Sequence, residues 1–479
     1  METLIHLTAC EAVDLLQRRD ISPLDLVEAS ARRIAAVEPA INAIPVLCLE
    51  RAREHARRLM NAAAPASLPR GWLGGLPLAI KDLIDVAGVR TTYGSPLYAD
   101  NIAQRSHPLV ARLEALGGIV IGKSNIPEFA VGGNTVNPLF GGTRNPWNTR
   151  LTPGGSTGGG AAALAAGEVW LAHGTDHGGS LRRPAAYCGV VGMRCSPGRV
   201  TRGTPRNLWS PQVVQGPMAR NVADLALFLD AMAGFCPQDP LTFDAPQQGY
   251  LDAVRAARAP TRVAYTGDFG GRIAVDRETR EICAQAVRRF EGLGTSVEEA
   301  SPAIGEAEDA FLVIRGQNFL VDRETLLQTH RDRLKPDMIW NIERGQRQSA
   351  SRLAWADRER AKLYGTFLEF FERYDLLITP AATTPAWSAD TPHPERIDGK
   401  LPANIMAASL LNSIITLTGL PSLVLPCGFD AYERPIGLQI TGRPRGEAAV
   451  LQAAALLEAS LGLAGRLPIE PTQGPLPPQ

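Results

Sequence analysis

The apolar and polar residues of this chain fall into two alternating kinds of segment. Short apolar runs occupy residues 73–84, 118–122 and 374–380, and the first two contain glycine. Their length and composition are typical of buried β-strands. Segments such as residues 107–117 separate these runs and repeat apolar residues at helical spacing. Because a helix followed by an apolar strand recurs along the chain, the pattern predicts βαβ units and a largely parallel sheet.

Two helix starts are marked near the beginning of the chain. Thr8 with Glu11 fits a capping box, in which each residue bonds the backbone of the other. Ser22 and Pro23, followed by Asp25, fit a second start with proline at the first helical position. The N-terminal region is therefore predicted to be helical.

The elements together predict a single large α/β domain with a mixed, largely parallel central β-sheet covered by helices. The chain has neither an internal repeat nor a flexible linker that would divide it. We expect five segments: N-terminal helices (1–70), a core segment that carries the candidate chemistry (71–235), a variable helical layer (236–400), a second core segment (401–470) and a loose tail (471–479).

Charge excludes several classes of protein. The 479 residues include 49 basic and 49 acidic side chains, whereas dedicated nucleic-acid-binding proteins carry a basic excess. The longest uncharged stretch, residues 401–429, contains several polar side chains and two prolines. A membrane span tolerates these poorly, so we predict a buried helix and strand there. We therefore expect neither a nucleic-acid partner nor a membrane.

Cysteine usage indicates the cell compartment. The seven cysteines are scattered, form no CxxC pair and do not cluster with the seven histidines. In a chain of this length, that usage predicts reduced thiols, without a disulfide framework or a metal site. The first residues lack the basic and apolar regions of a secretory signal. The sequence thus predicts a cytoplasmic protein.

Glycine is the one outlier in composition. The chain has 46 glycines, about a tenth of its length against a usual ~7%, and residues 153–180 are especially rich in them. This segment contains Ser156 in PGGSTGGG and Ser180 in GTDHGGSLRRPAA, joined by one short alanine-rich helix. Ordinary tight turns explain either loop alone, but two such loops so close together weaken that explanation.

Glycines beside a serine have two chemical uses. They let the backbone turn where a β-carbon would clash, and they leave successive N–H groups free to point at an anion. The N–H groups of His177, Gly178, Gly179 and Ser180 are placed in sequence to form such an oxyanion hole.

A reactive serine also needs a base. Lys81 ends the apolar run GLPLAIK, and a buried lysine can be neutral because burial disfavours its charged form. A lysine that reaches solvent from a strand end is the alternative. From the residues alone, the sequence therefore indicates only a hypothesis of serine chemistry without histidine.

Two familiar motifs are rejected. Residues 117–124 (GGIVIGKS) match the phosphate-loop pattern, but the consecutive β-branched residues 119–121 favour a strand where that loop must bend. Residues 154–158 (GGSTG) match the nucleophile elbow of histidine-dependent hydrolases. The late histidines available to that arrangement are His330 and His393, and His393 lies in a proline-rich loop.

The ordered segments of the chain resemble the amidase signature hydrolases. The resemblance covers most of the sequence and is more specific than any single motif above. It is carried by GLPLAIKDLIDVAGVRTTYGS (75–95), GKSNIPEFA (122–130), NPLFGGTRNPWNTRLTPGGSTGGGAAALAAG (137–167), GTDHGGSLRRPAAYCGVVGMRCSPGRV (174–200), GPMARNVADLA (216–226), and the C-terminal GLPSLVLPCGF and PIGLQITGRP.

The resemblance implies a serine–cis-serine–lysine triad. Ser180 would be the nucleophile, Ser156 the bridging serine after a cis peptide bond, and Lys81 the base. The backbone of residues 177–180 would hold the oxyanion, and neither a metal nor an organic cofactor is implied. Asp176 and Arg182 match the family's supporting pair.

Two departures from the family pattern lie close to the triad. Thr157 stands where many members have a second serine, and it keeps the hydroxyl. His177 replaces a more usual Thr or Ile, so its side chain could reshape the pocket or titrate near neutrality. Neither departure changes the three triad positions.

The substrate is expected to be a small hydrophobic aryl or alkyl amide or carbamate, with esters as a further class. Ala130 matches a pocket position of some members. Trp209 and Trp340 lie in variable segments and are predicted to line the pocket, although plain packing is the alternative for each. Arg206 and Arg344 could meet a carboxylate, but solvation is the simpler interpretation, so we expect no carboxylate site.

Two other functions are considered. The glutaminase subunit of a tRNA-dependent amidotransferase would need a longer loop after residue 200 than this chain has. A non-catalytic scaffold would not need the three triad residues. A homodimer is a further expectation, because dimers occur in the family.

Overall fold

The computed structural model of the chain describes residues 2–62 and 67–476. Its centre is an eleven-stranded sheet in the order β1-β3-β2-β6-β8-β7-β12-β13-β11-β9-β10, and β4 and β5 form a separate pair. The strands are β1 (Val46–Leu47), β2 (Pro77–Lys81), β3 (Ile119–Ser124), β4 (Val136–Asn137), β5 (Gly141–Gly142), β6 (Leu171–Asp176), β7 (Val191–Arg194), β8 (Val214–Ala219), β9 (Arg262–Tyr265), β10 (Ser296–Glu299), β11 (Leu376–Pro380), β12 (Ser422–Phe429) and β13 (Pro435–Gly442).

The sheet is mixed, and its parallel pairs lie in two groups. Strands β3, β2 and β6 pair in parallel on one side, and β11, β9 and β10 do so on the other. The strands between these groups pair antiparallel, as does β1 at the edge. The predicted α/β domain with a mixed sheet is confirmed. Parallel pairing occurs where long helical crossovers join strands, whereas a short turn between β12 and β13 allows only an antiparallel hairpin.

Helices cover the sheet, and both predicted capping boxes are present, at Thr8 with Glu11 and at Ser22 with Asp25. In the part of the chain that the structure describes, no helix combines the length and apolar character that crossing a bilayer requires. The helices are α1 (Ala9–Arg18), α2 (Pro23–Ile41), α3 (Leu49–Asn61), α4 (Pro108–Ala115), α5 (Gly158–Ala166), α6 (Arg182–Cys188), α7 (Val222–Met232), α8 (Tyr250–Arg255), α9 (Arg277–Val287), α10 (Ala307–His330), α11 (Pro336–Gln346), α12 (Ala350–Arg373), α13 (Leu410–Thr418) and α14 (Glu447–Leu461).

Two hydrophobic clusters pack on opposite faces of the sheet. Successive residues of the central strands belong alternately to one cluster and the other, as the two-residue period of a strand requires. Helix α5, whose sequence is GGGAAALAA, is buried on all sides in one of them. Its small side chains allow close approach: a β-carbon at Gly159 would lie 2.4 Å from the backbone nitrogen of Asn125. This helix therefore holds the Ser156 loop, which directly precedes it, tightly against the sheet.

The segment predicted as an outer layer forms a third cluster. Helix α10 packs on α11, α12 and α13, and α12 also packs on α13. The same segment also contributes β9, β10 and β11 to the sheet. The layer is thus continuous with the core.

The C-terminal segment differs from its prediction as a loose tail. Thr472 accepts a backbone hydrogen bond from Thr149 at 2.8 Å, and Asn148 donates to the carbonyl of Pro475 at 2.9 Å. These bonds attach residues 472–475 to the loop before α5, because the loop's free backbone and amide groups are complementary to an extended chain. Residues 477–479 lie outside the described residues.

Candidate active site

The Lys81 side chain is held inside the protein by hydroxyl groups. It ends β2 and is completely buried. Its Nζ lies 2.8 Å from Ser156 Oγ, 2.8 Å from Thr157 Oγ1 and 2.9 Å from Thr175 Oγ1. Burial lowers the pKa of the amine from 10.5 to about 7, against the opposing effect of the Asp176 charge. The predicted desolvated lysine is thus found at the end of a buried strand.

The position of Lys81 follows from the sheet. Strands β2 and β6 are parallel neighbours, so their carboxyl ends lie at the same edge of the sheet. Lys81 closes β2 there, and Thr175 with Asp176 closes β6. Residues distant in sequence therefore meet at this edge.

Ser156 precedes α5 in a fully buried loop. The Gly155–Ser156 peptide bond is cis, as the family resemblance implies. The carbonyl of Gly155 accepts a hydrogen bond from Arg183 Nη2 at 3.1 Å. The two serine loops also touch directly, because the Thr157 N–H donates to the carbonyl of Ser180 at 3.1 Å.

Ser180 lies in the turn between β6 and α6, and Asp176 fixes that turn. The Asp176 carboxylate accepts from the backbone N–H of Gly179 at 3.1 Å and of Leu181 at 3.0 Å. It also accepts from Arg182 Nε at 3.1 Å and from Arg182 Nη2 at 2.8 Å. Burial alone would raise the pKa of this carboxyl, but the charge and hydrogen bonds of Arg182 hold it well below its usual value. The predicted supporting pair is therefore an ion pair.

One of the four backbone N–H groups that were predicted to form the oxyanion hole already has an acceptor. The Gly179 N–H is not free, because it donates to Asp176. Only glycine fits the backbone conformation at position 179. Its φ is +96°, and a β-carbon there would lie 2.4 Å from Asn412 Oδ1. Among the described residues, no acceptor is found for the N–H groups of His177, Gly178 and Ser180, and these three residues line the adjacent cavity.

Comparison with known proteins agrees with this arrangement. The sequence profile of the family described as Amidase matches residues 25–451. The chain belongs to the amidase signature family. It is therefore an enzyme that hydrolyses carbon–nitrogen bonds.

The relatives of this amidase include enzymes with different roles. It is 34% identical over 472 residues to the acylamidase of Rhodococcus erythropolis, covering 98% of each chain. It is 35% identical over 486 residues to a subunit of the glutamyl-tRNA(Gln) amidotransferase of Moorella thermoacetica, covering 95% of this chain and 97% of the relative.

Solved structures show the same fold. The structure of a bacterial aryl acylamidase of the amidase signature family superposes with a TM-score of 0.87 at 26% identity, over 97% of this chain and 99% of that one. A 6-aminohexanoate cyclic dimer hydrolase, solved with its substrate, superposes with a TM-score of 0.85 at 26% identity and the same coverage.

A cavity of about 140 Å³ opens beside the two serines of the amidase. Ser156, Thr175 and Ser180 form its floor, and the outer layer and the loops before α13 form much of its wall. Its apolar wall residues are Leu83, Phe129, Ala130, Val131, Val213, Phe319, Ile405 and Met406, and its charged or strongly polar ones are His177, Arg183, Arg315, Asn318, Asp322, Arg323, Asp337 and His393.

The predicted pocket residues have different outcomes. Ala130 lines the cavity, in a left-handed conformation with φ of +60°. Trp209 and Trp340 do not, so the prediction for both is wrong. Trp209 is 68% exposed on the loop that follows β7, and Trp340 packs on the third hydrophobic cluster beneath Arg344. A large aromatic side chain in a variable segment was therefore not a reliable sign of a cavity-lining residue. Trp209 faces solvent, and Trp340 packs against the protein.

Sequence reasoning missed most of the wall. Arg183 was identifiable only as the second arginine of LRRP, beside the supporting Arg182. Arg315 and Phe319 lie one turn apart on α10, and the mixed polarity of that helix does not indicate which face meets the catalytic core. Their contribution follows from tertiary packing.

His177 is half-buried in this wall, its ring nitrogen Nε2 is buried, and it does not titrate near neutrality. Its ring stacks on Phe319 at a centroid distance of 6.2 Å and meets Phe311 edge-on at 5.7 Å. Burial, followed by the charge of Arg315, lowers the pKa of the imidazole well below its usual value. The ring is therefore neutral, so the expectation that it titrates near neutrality is wrong. It lines the cavity, in agreement with the expectation that it reshapes the pocket.

Proposed function

We propose that this amidase hydrolyses a small amide or carbamate by acyl transfer to Ser180, with Ser156 as proton relay and neutral Lys81 as base. The observation that carries the proposal is the environment of the lysine: a completely buried amine that contacts three hydroxyl oxygens. An amine in such a site is available as a base near neutral pH.

The number of donors on Lys81 Nζ supports proton transfer from Ser156 to the lysine. A neutral amine has two N–H donors and one lone pair, and Lys81 has three hydroxyl neighbours. The Thr157 hydroxyl lies 3.5 Å from the carbonyl of Thr175, to which it can donate. If the two N–H groups donate to Thr157 and Thr175, the Ser156 hydroxyl is left to donate to the lone pair. Ser156 then has a free oxygen lone pair for the proton of Ser180.

The proposed reaction has two stages. Ser180 Oγ attacks the carbonyl carbon while its proton passes to Ser156, whose own proton passes to Lys81. The N–H groups of His177, Gly178 and Ser180 hold the oxyanion. The carbon–nitrogen bond then breaks as the leaving nitrogen takes the proton back through Ser156. Water attacks the acyl-enzyme with the same relay, which releases the acid and restores Ser180.

The cavity supports a substrate with an apolar body. Phe129, Phe319 and Met406 contribute aromatic and thioether surface beside the serines. The expectation of an aryl or alkyl substrate therefore rests on these three side chains and no longer on Trp209 and Trp340. The similarity to an acylamidase and to an aryl acylamidase supports the same class. Carbamates and esters share the acyl chemistry and are proposed as further substrates.

A second candidate is the glutaminase subunit of a tRNA-dependent amidotransferase. The similarity to such a subunit over almost the whole chain favours it. That function would need a partner that receives ammonia, and glutamine as the preferred amide.

One assay separates the two candidates and tests the nucleophile. The purified chain is offered aryl amides, aliphatic amides, carbamates, esters and glutamine without any partner. We expect hydrolysis of an aryl amide or carbamate, abolished in Ser180→Ala together with labelling by a fluorophosphonate. Ser349→Ala, at the exposed start of α12, is the control that keeps both. Full activity of Ser180→Ala would overturn the mechanism, and activity on glutamine alone would favour the amidotransferase function.

A further inference from the structure

Three guanidinium groups line the cavity without a carboxylate partner. They belong to Arg183, Arg315 and Arg323. In the described parts of the chain, no ion pair with a nitrogen–oxygen distance up to 4.0 Å involves any of them. Arg183 and Arg315 are only 4% and 6% exposed. Buried charges are costly unless an opposite charge accompanies them.

The protein partners of these two buried arginines are neutral. Arg183 donates to the carbonyl of Gly155 and to the Ser409 hydroxyl, and its Nε has no partner among the described residues. Arg315 donates through Nε to Asn341 Oδ1 at 2.7 Å. These contacts orient the guanidinium groups through neutral acceptors, and the charges that favour them, Asp337 for Arg315 and Asp176 for Arg183, form no direct ion pair with them within the described chain.

His177 adds a further donor to the same wall. Its Nδ1 lies 3.5 Å from Arg315 Nη1. A guanidinium can only donate, so the neutral imidazole accepts at Nδ1 and carries its proton on Nε2. That Nε2 is buried and has no hydrogen-bond partner among the described residues. The wall therefore presents donors from His177, Arg183 and Arg315.

The carboxylates of the cavity do not neutralise this group. Asp337 lies 3.3 Å from His393 Nε2, and its charge also favours the charged form of Arg315. Burial lowers the pKa of the nearby Lys335 to about 8, so that side chain adds positive charge below that pH. Asp322 is half-buried and forms no ion pair in the described chain. Three guanidinium groups thus face two carboxylates, and the excess charge in the cavity is positive.

We propose that the substrate of this amidase carries a carboxylate, which Arg315, Arg183 and the Nε2–H of His177 bind beside Ser180. The inference rests on the proposed function and narrows it: the preferred substrate is an amide or carbamate with an apolar body and an anionic end. Charge-assisted hydrogen bonds from two arginines favour a planar carboxylate over a neutral group of the same size. The proposal differs from the expectation, drawn from the sequence, that the enzyme has no carboxylate site.

The first experiment compares matched substrates of the wild-type enzyme. One pair is N-phenylglutaramate and neutral pentananilide, with the anion on the acyl side. The other is N-acetyl-4-aminobenzoate and 4-methylacetanilide, with the anion on the amine side. We expect kcat/KM to be at least about tenfold higher for the anionic member of one pair, with the preference weakening in added salt. Hydrolysis of both neutral members as fast as the anionic ones would overturn the inference and leave the proposed function standing.

A variant pair then assigns the preference to the arginine. In Arg315→Gln, the ratio of kcat/KM between anionic and neutral substrate falls about tenfold or more, and Arg315→Lys retains part of it. The control is Arg344→Gln, because Arg344 stacks over Trp340 on the adjacent α11 and does not line the cavity. An equal ratio in Arg315→Gln and Arg344→Gln would contradict the assignment.

A binding measurement keeps the inference testable without turnover. Ser180→Ala is titrated with N-phenylglutaramate and with pentananilide by calorimetry. Tighter binding of the anion supports the carboxylate site even if no amide in the panel is hydrolysed, in which case only the proposed function fails. Equal or weaker binding of the anion overturns the site.

Discussion

The chemistry that we propose for this amidase depends on the solvation of one amine. Lys81 has exchanged water for three hydroxyl oxygens, and burial outweighs the opposing charge of Asp176, so its pKa falls from 10.5 to about 7. The hydroxyl groups matter because they can accept from the amine without stabilising a positive charge as strongly as a carboxylate would. In the proposed mechanism, this single side chain therefore acts as the base at neutral pH without a histidine.

The pH dependence of the reaction follows from that pKa. The base is active when neutral, so kcat/KM for a neutral amide should rise as pH increases through about 7 and then level off. Lys81→Ala should lower kcat/KM by ~10³ at pH 7, remove this rise and recover partly at high pH, where hydroxide can act. Lys362→Ala, on the surface of α12, is the control. A pH–rate profile of Lys81→Ala that matches the wild type would exclude a lysine base.

The departure at Thr157 can be tested in the same way. Its hydroxyl accepts from Lys81 at 2.8 Å, and a serine would supply the same oxygen. Thr157→Ser should therefore keep kcat/KM within a factor of about two, whereas Thr157→Val should lower it about tenfold by leaving a buried donor unpaired. Equal activity of the two variants would show that this hydroxyl does not support the base.

At the scale of elements, the turn between β6 and α6 is organised by one carboxylate. Asp176 binds two backbone N–H groups of the turn and the guanidinium of Arg182, and Arg194 Nη1 donates to its carbonyl at 2.8 Å. Both arginines are fully buried. The ion pairs therefore set the conformation in which Ser180 faces the cavity.

Asp176→Asn tests this role of the turn. The substitution keeps the side-chain shape but removes the negative charge that pairs with the buried guanidinium groups of Arg182 and Arg194. The free energy of unfolding should therefore fall by about 3 kcal/mol in urea titrations. The Asp176 charge raises the pKa of Lys81, so its removal should shift the rise of kcat/KM to lower pH. Asp309→Asn removes a surface pair with Arg352 and should do neither. A shift to higher pH would contradict this electrostatic account.

The elements also show how far the sequence could predict the site. Lys81 and the glycine loops were recognisable because burial and tight turns leave local patterns, and the family resemblance supplied the pairing of the two serines. The commitment of the Gly179 N–H to Asp176 left no such pattern. Gly178 and Gly179 look equivalent in sequence, and only the three-dimensional path of the turn distinguishes a free N–H from a bonded one.

At the scale of the whole molecule, one buried carboxyl group lies where the N-terminal helices meet the core. Glu168 follows α5 and lies beside Glu38 of α2, and the Ser30 hydroxyl donates to its carbonyl. Burial, followed by the charge of Glu38, raises the pKa of Glu168 well above its usual 4.5. The folded protein therefore keeps a proton that the unfolded chain releases.

This proton makes stability depend on pH. Because the folded pKa is raised, the contribution is fully present below about pH 4.5 and is lost as pH rises toward the folded value. Glu168→Gln should remove this loss of stability at high pH. The variant should therefore have a higher free energy of unfolding than the wild type at pH 8, and the difference between the two should shrink toward pH 5. Glu369→Gln on exposed α12 is the control. Urea denaturation across this range measures both variants, and a difference that grows toward acid pH would be inconsistent with a proton retained on Glu168 in the folded state.

The molecule as a whole was only partly predictable. The N-terminal helices followed from capping boxes, and the buried strands from their apolar runs. The cavity wall did not, because Arg315 and Phe319 lie on a helix of mixed polarity whose orientation depends on packing against α11 and α13. Local patterns specify elements, whereas the contact between distant layers is a property of the complete fold.

The division of the cavity between two layers has a consequence for protein engineering. The proposed reacting groups come from residues 81–180, where α5 is buried on all sides and tolerates little added volume. Much of the wall comes from α10, α11 and the loops before α13. A combinatorial library restricted to those wall positions can therefore search for new substrates while the proton relay is inherited unchanged. The fold separates what must be conserved for turnover from what can diverge for selectivity.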